Sequence, residues 1–459
     1  MPGQSYNGVS RCAEGLTSRP GAVSEVPATV SIVVSYRQPG TVLTDLTFTV
    51  PLDHADPGGP QIQLFARAVE AARPPGADLP WLLFLQGGPG FGGPRPIGRD
   101  TWLDRALRDY RVLLLDQRGT GRSSPANRHT LAELGSAQAQ ADYLAHFRAD
   151  SIVADAEMVR RQLTGGQPWS VLGQSFGGFC TVTYLSQAPE GIREAFITGG
   201  LPGLRTTADE LYRATYPLVA EKNRAHYERY PADLQRARQI ARRLAASPAR
   251  LPDGGLLTVE AFQALGGMLG ASRGSHGLHY LLEDPFAGAE LSDDFLYRVQ
   301  SHRTFSAGPL YALVHEACYA QGTATRWAAQ RIRAEFPEFD AAAALDGDHP
   351  LLFTGEMIYP WMLASDPVLA PLADAAELLA QRDGWPDLYD PARLRASQVP
   401  AAAAVYFHDM YVPLEFSQQT AQVIAGLTPW VTSEYEHDGL RVSNGAVLDR
   451  LIAMARGEV

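Results

Sequence analysis

Cysteine is scarce in this chain, basic charge is in deficit, and no long apolar run occurs. Cys12, Cys180 and Cys318 are the three cysteines in 459 residues, too few and too scattered for a disulfide framework or a zinc site. No stretch of about 18 or more apolar residues is present, which argues against a transmembrane helix. The first residues, Met1-Pro-Gly-Gln-Ser-Tyr-Asn-Gly8, lack a basic region followed by an apolar one, so no secretory leader is expected. Together these absences predict a cytoplasmic protein that does not engage membranes. Lys and Arg number 39 against 50 Asp and Glu, a formal net charge of −11. No concentrated basic face offsets that field, which excludes nucleic acid as a partner; ordinary solubility explains it, and a cationic small substrate would be welcomed. Internal repeats and low-complexity tracts are also missing.

What is there is a core-forming composition, 45% hydrophobic and 19% charged, and enough length for a main domain plus a large insertion. The stretch Trp169-Ser-Val-Leu-Gly-Gln-Ser-Phe-Gly-Gly178 reads as a buried strand, a sharp turn and a helix. A Gly-x-Ser-x-Gly turn of this kind lifts one serine hydroxyl clear of the backbone over a helix N-terminus. The pentapeptide alone is common; its strand-like and helix-like flanks are what single out Ser175 as a nucleophile over a bystander serine.

Residues 1–30 are Gly/Ser/Pro-rich and predict a loose N-terminal arm. Residues 46–52 alternate as a strand, 53–60 turn, and 62–69 return, a hairpin at the antiparallel edge of a larger sheet. Continuous apolar runs at 81–85 and 111–116, with a helix-like 101–109 between them, predict buried parallel strands with a crossover. A helix over 150–163, the strand before Ser175 and another from 195 continue the rhythm, which is that of a doubly wound α/β sheet. From 206 to 390 the pattern turns helical, and strands return at 401–408 and 428–434. The predicted organisation is one α/β domain, residues 1–205 and 391–459, interrupted by a helical insertion over 206–390.

A serine nucleophile needs a base, and the base an orienting carboxylate. In this architecture the order is Ser, then Asp or Glu, then His. His437, just past the last strand, is the one histidine after His408, and Asp409 ends the strand before it. Each has a bland rival, a surface histidine and a helix cap; their order and their positions at strand ends favour a triad. The oxyanion needs backbone donors. Leu85-Gln-Gly-Gly-Pro-Gly-Phe-Gly-Gly93 follows a buried strand, so the Gly88 N–H, with Gly87 as alternate, is expected to pair with the Phe176 N–H. No Lys-Ser/Thr follows those glycines, which excludes a P-loop. In Asp116-Gln-Arg-Gly-Thr-Gly-Arg-Ser-Ser124 the Asp and Arg are expected to brace loops through a buried ion pair.

Gly-Gly-Pro-Gly (87–90), Asp-Gln-Arg-Gly-x-Gly-x-Ser (116–123), Gly-Gln-Ser-Phe-Gly-Gly (173–178), Asp-Met-Tyr-Val-Pro (409–413) and Glu-His-Asp-Gly-Leu-Arg (436–441) resemble the motifs of the prolyl aminopeptidase, or proline iminopeptidase, family of α/β-hydrolases. The resemblance covers about residues 40 to 459 and is closest to the longer bacterial members with a large helical cap. Many relatives have His before Gly-Gly-Pro-Gly where this chain has Gln86, a mark of the longer branch. The resemblance implies an α/β-hydrolase fold and a serine aminopeptidase, without cofactor or metal, that releases N-terminal proline from short peptides or amides. It puts the nucleophile at Ser175, its partners at Asp409 and His437, and the oxyanion donors at Gly88 and Phe176. It also implies that acidic cap residues hold the substrate's free amine, and Glu316 and Glu356 stand in the matching segments. Phe91, Phe176, Tyr319 and Tyr359 are candidates for a slot around the pyrrolidine ring, and Cys318, two residues from Glu316, is expected to expose the site to thiol reagents. An esterase, amidase or other small-peptide hydrolase with a different acyl pocket remains the alternative within the fold, and a non-catalytic binding protein the alternative outside it. Oligomeric state is not legible.

Overall fold

A computed structural model describes residues 31–72, 78–99, 101–303, 305, 308–346 and 349–459; the expected N-terminal arm and Cys12 lie outside them. Nine strands form one sheet: β1 (Ser31–Gln38), β2 (Thr41–Pro51), β3 (Gln61–Ala71), β4 (Trp81–Leu85), β5 (Arg111–Asp116), β6 (Trp169–Gln174), β7 (Ile192–Thr198), β8 (Ala401–Tyr406) and β9 (Leu427–Thr432). Their spatial order is β1-β2-β3-β5-β4-β6-β7-β8-β9. β1 to β3 run antiparallel, β3 pairs antiparallel with β5, and every pair from β5 to β9 is parallel. The expected hairpin is β2 and β3, but it is not the edge, because β1 lies outside it.

The continuously apolar strands are explained by burial on both faces. Leu83, Leu85, Leu113 and Val171 point to one side, into the core shared with helices α2 (Ala149–Thr164) and α3 (Phe176–Gln187). Leu82, Phe84, Val112 and Leu172 point to the other, against α1 (Thr101–Asp109) and the C-terminal helix Ala446–Ala455. Helices on both sides of a mostly parallel sheet make the α/β-hydrolase architecture, with loops after the strands' C-terminal ends gathered along one edge.

Between β7 and β8 the chain leaves the sheet. Its longest cap helix, α4 (Ala208–Arg229), starts with a reciprocal capping box between Thr207 and Glu210. Shorter helices follow, including α5 (Pro309–Val314) and α6 (Ala328–Arg333), with two small antiparallel ribbons, Ala249–Arg250 with Leu256–Leu257 and Phe286–Ala287 with Glu290–Leu291. The apolar core of this part runs on into Leu131, Leu144, Phe147 and Met410 outside it. Asn223 exchanges two hydrogen bonds with the Phe353 backbone (2.8 and 2.9 Å), and the Tyr216 and Tyr359 hydroxyls meet at 2.9 Å. Tyr359 is fully buried there and stacks on Trp361, so it belongs to the cap's interior and not to a substrate slot. Among the described residues no helix is long and apolar enough to cross a membrane.

Candidate active site

Ser175 sits between β6 and α3 with φ +57° and ψ −125°, a conformation that costs a non-glycine residue of the order of 1–3 kcal/mol. The flanking glycines make the turn possible. A Cβ at Gly177 would fall 1.9 Å from the Leu85 carbonyl, and one at Gly173 2.3 Å from the Gly177 carbonyl. The Ser175 N–H donates to the Thr198 carbonyl (2.9 Å), which pins the elbow to the end of β7. Phe176 opens α3, where the first amides have no intrahelical acceptor.

The glycine loop after β4 crosses directly over this serine. A Cβ on Gly87 would lie 2.9 Å from the Ser175 Cβ, so the close approach depends on glycine there. Asp116 anchors the far end of the loop: its carboxylate accepts the Gly93 N–H (2.9 Å), the Arg122 N–H (2.8 Å) and two Arg95 guanidinium bonds (2.8 and 2.5 Å). Arg118 braces the neighbouring turn. Buried completely, it donates to both Asp155 oxygens (2.8 and 2.6 Å) and to the carbonyls of Pro51, Leu52 and His146. Asp116 and Arg118 thus form separate ion pairs with other residues.

Asp409 follows β8 and His437 follows β9, both above the sheet's C-terminal edge. The His437 Nδ1 lies 2.7 Å from Asp409 Oδ2, while Asp409 Oδ1 accepts the amides of Tyr411 (2.9 Å) and Val412 (3.0 Å). One oxygen orients the imidazole and the other is held by the backbone. The ring also packs on Gly199, where a Cβ would fall 3.1 Å from Nδ1, and on the edge of Tyr411. Burial works against the imidazolium, but the Asp409 charge and hydrogen bond, with Glu356 adding to them, outweigh burial and an opposing Arg441; the histidine's pKa lies above its ordinary value of 6.5.

Residues inserted between β7 and β8 pack onto this centre. Helix α5 rests on the glycine loop so tightly that a Cβ at Gly90 would fall 2.5 Å from the Tyr311 amide nitrogen. Tyr311 donates its hydroxyl to Glu356 Oε1 at 2.5 Å, and its ring lies 5.4 Å from that of Phe91. The charge of Glu356 also reaches Tyr319 and Tyr411. Tyr311, 45 positions from Glu356, carried no local signal in the sequence. Phe176, Phe179 and Tyr319 continue the aromatic wall edge to face. A cleft of about 890 Å³ opens beside Tyr319, bordered by residues 204–210 and 323–326; Ser175, Asp409 and His437 do not line it.

Glu316 is placed differently. Buried, its two oxygens accept the amides of Ala328 (3.1 Å) and Ala329 (3.0 Å) at the start of α6. Burial raises its pKa, and those amides with Thr325 oppose the rise. A carboxylate so occupied holds α6 in place, whereas Glu356 lies against Tyr311. Cys318 is also buried, and burial pushes its thiol well above the ordinary range. Both features count against the expected access of thiol reagents, since the thiol is enclosed and its reactive thiolate disfavoured.

A family described as alpha/beta hydrolase fold matches residues 80–251. A proline iminopeptidase of Aeromonas sobria is 50% identical over 410 residues, 89% of this chain and 95% of the relative. A proline iminopeptidase of Aspergillus aculeatus is 35% identical over 451 residues, 94% of this chain and 98% of the relative. Among solved structures, an esterase from Exiguobacterium antarcticum aligns with a TM-score of 0.39 and 13% identity over 86% of this chain and 96% of that one.

Proposed function

The chain belongs to the proline iminopeptidase family of α/β-hydrolases and is a serine hydrolase of the prolyl aminopeptidase kind; from that premise we propose that it frees N-terminal proline from short peptides and amides through Ser175, His437 and Asp409. The observation that carries the site assignment is the 2.7 Å contact of His437 with Asp409 above the same sheet edge as the Ser175 elbow. His437 takes the Ser175 proton as the hydroxyl attacks the prolyl carbonyl, and Asp409 keeps Nδ1 protonated so that Nε2 is the basic nitrogen. The oxyanion is held by the Gly88 and Phe176 amides, fixed by Asp116 at the end of one loop and by α3 in the other case. Protonated His437 then gives its proton to the leaving amine, and water activated by the same imidazole releases proline from the acyl-enzyme.

Residues 206–390 act as the cap between the two parts of the hydrolase domain, 1–205 and 391–459. Their task is to read the substrate's free amine. Glu356, held by Tyr311, offers a carboxylate in a partly dry chamber, where a charge-assisted bond to a prolyl ammonium is strong. An internal peptide bond has no such charge and leaves the carboxylate unpaired, which is how exopeptidase selectivity arises. Three scattered cysteines support a cytoplasmic setting.

The test is a comparison of proline 4-nitroanilide with its N-acetylated form and with simple aliphatic esters. Release of 4-nitroaniline from the free amine and not from its acetylated form, alongside any background hydrolysis of activated esters, supports the proposal. Efficient cleavage of blocked or aliphatic substrates, with no prolyl release, would overturn it in favour of an esterase or amidase.

A further inference from the structure

The loop carrying His437 is gripped from above by the cap at several points. The His437 N–H donates to the Gly270 carbonyl (3.2 Å). Next along the loop, Asp438 Oδ1 accepts both the N–H (3.0 Å) and the hydroxyl (2.5 Å) of Ser272. On its other side, Glu436 pairs with Lys222 of α4, the one lysine in the sequence, at 2.5 Å. The hydroxyl of Tyr411 donates to the Gly267 carbonyl, and its ring stands edge-on 4.8 Å from the imidazole. Gly270 touches that tyrosine so closely that a Cβ would fall 2.2 Å from its Cζ.

Apart from Lys222 on α4, the residues of the insertion that make these contacts belong to or flank one short 3-10 segment, Ala264–Gly270. Its other end grips the chain leading to Glu356. The Thr354 N–H donates to the Gln263 carbonyl (2.8 Å), and a Cβ on Gly266 would lie 2.2 Å from the Thr354 carbonyl. One short stretch of backbone therefore bridges the segment bearing Glu356 and the loop bearing the histidine.

We infer that Ala264–Gly270, with the tethers Lys222–Glu436 and Ser272–Asp438, is a positioning clamp that aligns His437 only when the cap is seated and sets its distance from Glu356. The inference rests on the triad reading for His437, and its link to amine selectivity rests on Glu356. The physical need is plain. The histidine lies on a loop beyond the last strand, and a displacement of about 1 Å at a reacting group can cost up to 100-fold in rate. The Asp409 contact orients the ring about its own axis; the backbone that carries the ring is held by the cap. Lys222, Ser272 and Asp438 are positioning residues and need not touch substrate.

The experiment compares the full-length protein with Lys222→Met/Ser272→Ala, with Ser272→Ala alone, and with the conservative pair Lys222→Arg/Ser272→Thr. Rates are normalised to sites titrated by a fluorophosphonate, so unfolded protein does not count. Two substrates are used: 4-nitrophenyl acetate, which reports acyl transfer without a prolyl group, and proline 4-nitroanilide. The expected result is a fall of about tenfold in kcat per titrated site on both substrates with little change in KM, and recovery in the conservative pair. In Ser272→Ala, which changes no charge, the acid limb of kcat/KM should also move to lower pH, because a looser ring loses part of its interaction with Asp409 while Glu356 and Arg441 still face it; Lys222→Met frees the Glu436 charge beside the ring and is not used for this readout. Unchanged kcat and an unmoved limb, with loss only of thermal stability, would overturn the clamp. A deficit on the acetate ester in a protein with no prolyl activity would sustain the clamp and refute the prolyl reading; full acetate turnover in variants of a parent that does release proline would overturn the clamp and leave the prolyl reading standing.

Discussion

His437 Nδ1 and Asp409 Oδ2 stand 2.7 Å apart although 28 positions separate them. The second Asp409 oxygen is fastened to the Tyr411 and Val412 amides, so the carboxylate cannot swing away from the ring. Asp409→Asn preserves the shape but removes the charge and favours the wrong tautomer. The expected loss in kcat is about 10⁴-fold. Because Asp409 is what raises the imidazole's pKa, and the base must be neutral to act, the acid limb of kcat/KM lies above the ordinary histidine value in the parent and shifts to lower pH in the variant. An unmoved limb in the residual activity would show that another group limits the rate.

Ser175→Ala should lose about 10⁶-fold in kcat and all fluorophosphonate labelling. The strained backbone at this position gives a second, independent readout. Ser175→Gly should be more stable than Ser175→Ala by about 1 kcal/mol, since only glycine tolerates φ +57° with ψ −125° at no steric cost. Equal urea midpoints for the two variants would argue against stored strain.

The two cap glutamates should part company. Glu356→Gln is expected to cut kcat/KM for proline 4-nitroanilide by about 10- to 100-fold, mainly through KM, and to spare 4-nitrophenyl acetate. Tyr311→Phe, which leaves Glu356 without its hydroxyl donor, should have a smaller effect of the same kind. Glu316→Gln should keep the amine preference and instead lower stability by about 1–3 kcal/mol, because a buried carboxylate that accepts two amides is replaced by a poorer acceptor. Loss of amine selectivity in Glu316→Gln would restore the paired-glutamate reading.

Cys318 should resist maleimides and mercurials in the native state. Its labelling rate should rise only in denaturant, in step with loss of tertiary structure, since both burial and a suppressed thiolate protect it. Rapid labelling of the folded protein, traced to Cys318 by peptide mapping, would contradict this placement.

Arg118→Met should destabilise the fold by about 3–5 kcal/mol, because buried Asp155 loses its guanidinium and keeps only the His54 contact (2.8 Å). The Arg118→Met/Asp155→Leu pair should recover much of that loss, because two apolar side chains leave no orphaned charge. A double variant less stable than the single one would show that the carbonyl bonds of Arg118 matter more than the ion pair.

Much of this protein is written locally. Apolar runs bounded by Gly and Pro determine β4, β5 and β6, because a strand buried on both faces must be continuously apolar. The glycines around Ser175 mark the elbow, because no other residue fits where Gly177 meets the Leu85 carbonyl. The order Ser175, Asp409, His437 at strand ends follows from the way a parallel sheet brings its C-terminal loops to one edge. Other features depend on contacts between distant segments and have no period or spacing to reveal them. The assignment of Glu356 to Tyr311 and of Glu316 to the start of α6 arises where the cap folds back on itself, and two glutamates alike in sequence acquire different partners there. The exclusion of Tyr359 from the site, the burial of Cys318 and the hold of Gly270 on the His437 loop have the same origin. Local chemistry determined which residues are able to react. Packing between cap and sheet decided which of them face one another, because burial and hydrogen-bond partners are properties of the assembled interior and not of any segment within it.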